Sequence, residues 1–358
     1  MGDLSMQRTR HHVATPSVST LYSDALGAFL AERGLPLSAQ AQHLQAPDPH
    51  RRRLCGNSYA ALMAGAAQEL DDSGLGLRFG ARVGGAGFGM LGIAAATAPS
   101  LREAIRHLTQ LESITSTLGH ASVRRHARRV HLSWQPAQTL PPAVVEGILA
   151  GWVSFGRYLL GERVDVVQVS MRHRRIAPAE AYDAVFECPV RFETCCYGVT
   201  IAAELLDARP RFADDLLNDA IGDWLGHCAS AASREGMSVT RSVSALFVSA
   251  LPLADADEPG VAALLGRDRR SLQRALQHEG TSFRQILNAA RAQHAVLALM
   301  QGDTSLPDLS ADIGFDEQSS LCRAFRKWTG YAPLAFKQRV SDVFRPLRAP
   351  DDIVLSAR

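Results

Sequence analysis

The chain of 358 residues lacks the features that mark secreted, membrane-spanning or metal-binding proteins. No stretch reaches 18 consecutive apolar residues, and the polar, basic beginning has no apolar core like that of a signal peptide. The six cysteines form no C-x-x-C pair and no Cys/His ligand spacing, and the adjacent Cys195 and Cys196 are poorly placed to hold one metal. We therefore predict a soluble, cytoplasmic protein with reduced thiols, no metal and no membrane partner.

Catalytic signatures are also missing. The N-terminal half has no Ser nucleophile elbow, no H-E-x-x-H motif, no EF-hand loop and no carboxylate pair at helical spacing on an apolar background. Gly87, Gly89 and Gly92 formally satisfy G-x-G-x-x-G. The segment after them, Ile93 to Thr97, is typical of a strand and not of the helix that a dinucleotide site requires. We interpret the glycines as a bend between strands, and predict neither a cofactor nor an enzymatic activity.

What the sequence does have is a short pattern that occurs twice, in the same order, between Val261 and Arg339. The copies are Gly266-Arg267-Asp268 with Ser271-Leu272-Gln273-Arg274-Ala275-Leu276, and Gly314-Phe315-Asp316 with Ser320-Leu321-Cys322-Arg323-Ala324-Phe325. In each copy the Gly fits a tight turn and the Asp is placed to cap a new helix. Gly280 and Gly330 stand where these two helices should end.

Each predicted helix has one apolar and one polar side. Leu272 and Leu276 share a face of the first helix. Leu321, Phe325 and Trp328 share a face of the second, so both helices can pack on a neighbour. The opposite sides carry side chains that suit base edges and phosphates in the major groove of DNA. The candidate DNA-binding residues are Arg269, Arg270, Ser271, Gln273, Arg274 and Gln277, then Gln318, Ser319, Ser320, Cys322, Arg323, Arg326 and Lys327, and finally Lys337.

A connecting helix is predicted from Ser282 to Met300, which contains neither Gly nor Pro. A helix of about 19 residues would be roughly 28 Å long. Successive major grooves on one face of B-DNA lie about 34 Å apart, so this spacer suits two reading helices on neighbouring turns. The net charge of +2 is close to neutral, but Arg residues cluster around both helices, so attraction to phosphate should be local and should weaken as salt rises.

These motifs resemble the DNA-binding domain of the AraC/XylS family of transcription regulators. The residues that carry the resemblance are Leu265-Gly266, Ser271-Leu272-Gln273-Arg274, Gly280-Thr281-Ser282-Phe283, Ile313-Gly314-Phe315, Ser320, Arg323-Ala324-Phe325-Arg326-Lys327 and Thr329-Gly330-Tyr331-Ala332-Pro333. It implies seven helices, with helix-turn-helix units at about 257–279 and 305–328 joined by a long helix. The family's base-reading positions fall on Arg270, Gln273, Arg274, Gln318, Ser319, Cys322 and Arg323. Cys322 departs from expectation because a thiol is a weak hydrogen-bonding group.

The N-terminal half shows alternating helix and strand patterns. Helices are predicted at Thr20–Arg33, with Leu21, Ala25, Ala28 and Phe29 inward, at Asn57–Leu70 with Asn57 as cap, and at Ser100–Leu118, Ala143–Leu160, Pro178–Phe186 and Phe212–Ala232. Strands are predicted at Ser122–His126, Arg129–Trp134, Asp165–Met171, Val190–Phe192 and Tyr197–Ile201. Gly76-Leu77-Arg78-Phe79-Gly80, Phe88-Gly89, Leu91-Gly92 and Ser100-Leu101-Arg102-Glu103-Ala104 resemble the long N-terminal regulatory domain of one branch of AraC-type regulators. That resemblance implies small-molecule sensing and a part in dimerisation.

The predicted fold is multidomain. Residues 1–235 form an α+β effector-binding and dimerisation domain, 236–345 form an all-α domain with two helix-turn-helix units joined by a long helix, and 346–358 form a tail. Trp134, Trp152, Phe155 and Tyr158 are candidates for the wall of a ligand pocket, with an ordinary core role open for each. The Phe212–Ala232 helix is the candidate dimer contact, with simple cover of its own sheet as the alternative.

The predicted function is a sequence-specific transcription regulator. We expect an activator, because the family leans that way, and a homodimer that binds double-stranded DNA, contacts RNA polymerase and responds to a small-molecule effector. Two alternatives stay open: a ligand-independent repressor or architectural DNA-binding protein, and an enzyme fused to a DNA-binding domain. The sequence does not name the effector or the operator.

Overall fold

The N-terminal half of the chain is an α+β domain. The computed structural model describes residues 16–35, 53–161, 164–222, 239–249, 252–301 and 304–344. The helices of this half are α1 (Thr20–Ala31), α2 (Gly56–Glu69), α3 (Leu75–Gly87), α4 (Gly89–Thr97), α5 (Leu101–Gln110), α6 (Pro142–Leu160), α7 (Ala179–Phe186) and α8, described over 215–222. The last ten residues of the helix predicted to end at Ala232 lie outside the described ranges, as do the predicted domain boundary near 235 and the tail.

Five strands form one sheet in the order β3-β4-β7-β5-β6, and a small sheet pairs β1 with β2. The strands are β1 (Ser17–Ser19), β2 (Arg53–Cys55), β3 (Gly119–His126), β4 (Arg129–Pro136), β5 (Val166–Ser170), β6 (Val190–Arg191) and β7 (Tyr197–Ala202). Neighbours in the large sheet run antiparallel, apart from the parallel pair β5 and β6. The five strands predicted for this sheet are confirmed.

The strand predicted for Ile93 to Thr97 is wrong. These residues end helix α4, and the glycines before them belong to two successive helices and not to a bend between strands. Every residue of α4 is buried. A helix with no solvent side lacks the exposed polar residues that would mark its period, so its apolar run cannot be told from a buried strand by pattern alone.

Of the predicted helix caps, those at Ser100 and Asp268 are present and those at Asn57 and Asp316 are not. Ser100 caps α5 by accepting from the Glu103 amide at 3.3 Å. Helix α2 begins one residue before the predicted cap, and the Asn57 side chain instead accepts from Gln138 Nε2 at 2.9 Å. In the C-terminal half Asp268 caps α11 (Ser271 N to Oδ1, 2.9 Å), but α14 begins after Glu317, so the cap predicted at Asp316 is wrong.

The C-terminal half contains seven helices in the described ranges. They are α9 (Val239–Ser249), α10 (Glu258–Leu264), α11 (Arg269–His278), α12 (Phe283–Gln301), α13 (Leu306–Asp312), α14 (Gln318–Thr329) and α15 (Pro333–Phe344). The pairs α10–α11 and α13–α14 are the two predicted helix-turn-helix units, and the 19-residue α12 is the predicted connecting helix. Gly280 and Gly330 take left-handed φ angles of +77° and +79° just past the two recognition helices, as their positions predicted.

The backbones of α3 and α6 touch where the two helices cross. A Cβ on Gly76 would collide with the Ala143 carbonyl, and one on Gly80 would collide with the Gly147 carbonyl and lie 2.8 Å from the Ala150 Cβ. Only glycine allows this approach. Helix α6 is apolar and long enough to cross a membrane, with a mean hydropathy of 1.3, but 61% of that window is buried, as in the core helix of a globular domain.

We expect Gly80→Ala to destabilise the protein by about 1–3 kcal/mol, because the added methyl group overpacks this crossing. A matched change in α6, Gly156→Ala, adds a methyl group with no atom within 4 Å. It should stabilise the protein by about 0.5–1 kcal/mol through helix propensity. Urea unfolding of the two variants measures both effects, and a Gly80→Ala variant as stable as Gly156→Ala would show that the crossing is not tightly packed.

A carboxyl group lies fully buried between α6 and α7. Glu146 has no exposed surface and accepts a hydrogen bond from the Tyr182 hydroxyl at 2.5 Å. Burial raises the pKa of Glu146 to about 8, and the Tyr182 hydrogen bond opposes this only in part. The group is therefore protonated at neutral pH and behaves as a neutral member of the core.

The raised pKa of Glu146 makes stability depend on pH. Because the folded pKa lies above the ordinary value of 4.5, the stabilisation is complete below that value and is lost as pH rises through about 8. We expect the free energy of unfolding to fall on the order of 2 kcal/mol between about pH 6 and about pH 9. Glu146→Gln, which keeps the shape without the titration, should flatten the profile; parallel profiles would remove Glu146 as the cause.

Candidate DNA-reading helices and ligand cavity

Helix α11 separates an inner apolar side from an outer polar side, as the sequence predicts. Leu272 and Leu276 have no exposed surface. On the other side Arg270, Arg274 and Gln277 are exposed. The helix therefore presents two cations and an amide to solvent, the groups that form hydrogen bonds with guanine and adenine edges.

Two other predicted DNA-binding side chains of α11 are held by an acid that is not among the predicted site residues. Glu258, at the start of α10, accepts from Arg269 Nε at 2.8 Å and from Gln273 Nε2 at 3.1 Å. Only 16% of the Glu258 side chain is exposed. Gln273 is consequently half-buried and must leave this acid before it can reach a base. Ser271 is also half-buried, and its amide donates to Asp268.

Helix α14 repeats the arrangement. Leu321 and Phe325 are fully buried, and Trp328 packs its ring against Phe315 and Phe325. The exposed predicted residues are Gln318, Ser319, Arg323, Arg326 and Lys327; Ser320, Cys322 and, on α15, Lys337 are half-buried. Ser319 donates to Glu317, and Ser320 accepts from Arg323 Nη2 at 3.0 Å.

The N-terminal domain contains an apolar cavity with a volume of about 130 Å³. It lies between the large sheet and helices α1, α2, α4, α5 and α6. Of the four residues predicted for a ligand pocket, Trp134, Trp152 and Phe155 line it. Tyr158 does not; its ring packs on Phe212 with 5.2 Å between centroids.

Tyr22 and Tyr59 also line the cavity, although no sequence pattern marks either as a pocket residue. The inner face of α1 lies one residue later than predicted from Leu21, Ala25 and Ala28. The buried side chains of α1 include Tyr22, Leu26, Phe29 and Leu30, whereas Leu21 and Ala25 are half-buried and Ala28 is exposed. Helix α1 is apolar over most of its surface, so its pattern does not fix its rotation.

A buried acid joins the two halves of the chain. Asp214 is 7% exposed, and its Oδ2 accepts from the Tyr331 hydroxyl at 2.6 Å and from Arg339 Nε at 3.0 Å. Burial alone would raise the pKa of Asp214, but hydrogen bonds from Tyr331 and the Leu217 amide, with the charge of Arg339, hold it below its ordinary value. Asp214 and Arg339 lie 125 positions apart, so local sequence patterns do not indicate this contact.

Two family models match this chain, in the order in which its two halves occur. The arabinose-binding N-terminal domain of AraC transcription regulators matches residues 26–210, more than half of the chain. A helix-turn-helix domain matches residues 261–339. The chain belongs to the AraC family of transcription regulators. This DNA-binding regulator accordingly combines a ligand-type N-terminal domain with the α9–α15 region.

Two transcription regulators are similar to this chain over most of their length, and one solved structure resembles it weakly. The ornithine utilization regulator of Pseudomonas aeruginosa is 26% identical over 333 residues, which cover 90% of this chain and 96% of that protein. The regulator VirS of Mycobacterium tuberculosis is 26% identical over 285 residues, 78% of this chain and 83% of the relative. Among solved structures, the transcriptional regulator CdpR of P. aeruginosa is 22% identical, covers 74% of this chain and 86% of its own, and superposes with a TM-score of 0.36.

Proposed function

We propose that this AraC-family protein is a sequence-specific activator, and not an enzyme, whose hold on DNA is set by an effector in the N-terminal cavity. The observation that supports it is the position of α4. Leu91 of this helix lines the cavity and also belongs to the apolar cluster of the C-terminal helices, together with Met90, Ile93 and Ala94. A ligand that moves the cavity wall therefore acts on the packing of the DNA-binding helices.

The polar faces of α11 and α14 are the proposed DNA contacts. Arg274 and Arg323 are exposed near the middle of the two helices, and each can form a bidentate pair with a guanine edge. Arg269 and Gln273 would exchange Glu258 for DNA groups. Contact with phosphate is proposed for the cations outside the middle of these helices. They are Arg326 and Lys327 in the last turn of α14 and Lys337 on α15.

We expect Arg274→Ala and Arg323→Ala each to weaken binding to the cognate site by about 1–3 kcal/mol and to relax base preference at one position. Fluorescence anisotropy on cognate duplexes, and on duplexes with single base changes, measures both effects. Equal losses on cognate and scrambled DNA would mean that these side chains contact phosphate and not bases.

The matched comparison is Lys337→Ala, which should weaken binding to all sequences alike. Loss of one phosphate contact should lower the slope of log affinity against log salt by about one. An unchanged slope would remove Lys337 from the DNA contacts.

Hydrogen bonds through Asp214 also connect α4 to the C-terminal helices. Asp214 donates its amide to the Thr97 carbonyl at the end of α4 (2.9 Å), while its carboxylate holds Tyr331 and Arg339. Tyr331 follows directly on Gly330, the residue that ends α14. Leu216 of α8 packs so closely on Gly330 that a Cβ there would lie 2.8 Å from Leu216 Cγ. We propose that these contacts carry the state of the cavity to the second recognition helix, since coupling requires contacts that differ between two states.

The neighbouring acids Asp214 and Asp215 give a matched test of this route. Asp215 is exposed and pairs only with Arg209, at 3.3 Å, among the described contacts. We expect Asp214→Asn to remove the ion pair with Arg339 and to raise amide hydrogen exchange in α15 at least several-fold, with little change in the sheet. Asp215→Asn should leave α15 as it is. Equal exchange in both variants would exclude Asp214 as the link.

We propose a homodimer in the cytoplasm that contacts RNA polymerase at the promoter. Leu216 keeps 57% of its surface exposed beside its contact with Gly330, which supports α8 as a dimer contact, and Leu217 and Ile221 of the same helix are buried within the chain. A ligand-independent repressor or architectural protein would show the same DNA affinity whatever occupies the cavity, and an enzyme with a DNA-binding appendage would turn over a substrate without DNA.

A further inference from the structure

The ligand cavity contains two polar groups that the fold does not use. Tyr22 and Tyr59 both line it and are 8% and 2% exposed, with their rings edge to face at 6.0 Å. Among the described residues no hydrogen bond reaches either hydroxyl, and neither oxygen is one of the completely enclosed unpaired atoms, so both remain open to a ligand. Burial raises the pKa of both phenols, so they remain protonated and can donate as well as accept. A ligand atom that accepts or donates a hydrogen bond would satisfy them.

The charge on the cavity wall disfavours an anionic ligand. Among the described lining residues there is no Lys, Arg or His, and the single acid is Glu112. Its carboxylate is already engaged, since both oxygens accept from the Ala121 amide at 2.9 Å and Oε1 lies 2.6 Å from His120 Nδ1. A buried carboxylate or phosphate ligand would find no cation here, and an ammonium group would find only this acid, whose oxygens are already engaged. Burial of an unpaired charge is costly.

The size and the walls of the cavity limit the class of ligand further. A volume of about 130 Å³ is close to the roughly 150 Å³ of an apolar cavity that binds benzene, so it suits a ligand of roughly six to ten non-hydrogen atoms. The walls are mostly aliphatic and aromatic, with Trp134 and Trp152 among them. A sugar of this size would bring several hydroxyls into a site where two phenols are the main free partners, and would leave the others unpaired.

We propose that the cavity binds an uncharged, mainly apolar molecule of roughly six to ten non-hydrogen atoms whose hydroxyl or carbonyl oxygen is bound by Tyr22 and Tyr59. This inference rests on the proposed function only in taking the cavity as the effector site. It assigns the chemical class of the ligand: a medium-chain alcohol, a phenol or a ketone, and not a sugar, a carboxylate or an amine.

The test compares three probes of one chain length and different head groups: 1-octanol, octanoate and octylamine. Binding to the full-length protein is followed by tryptophan fluorescence, because Trp134 and Trp152 line the site, and by the shift in Tm. We expect 1-octanol to bind at least tenfold more tightly than either charged probe at pH 7. Tighter binding of octanoate or octylamine, or no binding of 1-octanol, would overturn the proposal.

Variants separate the hydroxyl contact from general apolar binding. The double change Tyr22→Phe with Tyr59→Phe should weaken 1-octanol at least fivefold and leave ethylbenzene, which has no oxygen, unchanged. Tyr197→Phe, a tyrosine on β7 outside the cavity, is the control and should alter neither. Gly156→Leu, at a cavity residue whose Cβ meets no atom within 4 Å, should fill the site and weaken both probes. Equal losses of both probes in the double variant would show that the phenols only shape the wall.

Operator affinity, measured with and without saturating 1-octanol, separates the two proposals. A change in affinity that Gly156→Leu abolishes supports both the ligand class and control by the cavity. Tight, tyrosine-dependent binding that leaves operator affinity unchanged supports the ligand class and contradicts effector control. A change in operator affinity with octanoate alone supports effector control and overturns the ligand class.

Discussion

Helix α4 is buried on all sides, and the arrangement of the two halves depends on that burial. Its residues are divided between two apolar clusters: Ala95 and Ala96 pack with the N-terminal core, while Met90 and Ile93 pack with the C-terminal helices. Protein interiors are close-packed, so a shift on one side of such a helix is transmitted to the other. The same element therefore forms part of the cavity wall and part of the support of the DNA-binding region.

The glycines at the crossing of α3 and α6 fix the positions of these two helices in the N-terminal domain. Because Gly76 and Gly80 let the α3 backbone rest on the carbonyls of Ala143 and Gly147, the position of α6 is fixed to within van der Waals contact. The other side of α6 supplies Trp152, Phe155 and Gly156 to the cavity. A tight crossing on one side of the helix thus keeps a defined space on the other. A cavity on so rigid a wall suits recognition by shape, with few polar groups to select the ligand.

Polar contacts help to set the position of the DNA-binding region relative to the N-terminal domain. Asp214 accepts from Tyr331 and Arg339 in a site that is almost closed to water, where such hydrogen bonds are stronger than at the surface. Glu258 holds Arg269 and Gln273 on the reading face of α11. The first contact restrains the second helix-turn-helix unit on the side that packs against the N-terminal half, and the second restrains two of the side chains proposed to contact DNA.

The recognition helices followed directly from the sequence. The repeated Gly, Asp and apolar spacing placed α11, α12 and α14 and their exposed polar sides, because an amphipathic helix carries its own orientation in its pattern. The five strands of the large sheet were equally readable from their alternation. The sequence failed where that contrast is absent: α4 has no polar side and was taken for a strand, and α1 is apolar over most of its surface and was rotated by one residue.

The contact between the two halves and the tyrosines of the cavity could not be predicted from sequence, for a different reason. Asp214 and Arg339 lie 125 positions apart, and Tyr22 and Tyr59 come from different helices, so no local pattern relates the members of either pair. Whether an acid is solvated or buried, and whether a tyrosine hydroxyl has a partner, depends on what the folded chain brings against it. The sequence alone determined which helices can read DNA; the tertiary packing decided which side chains line the cavity and how the cavity is joined to those helices.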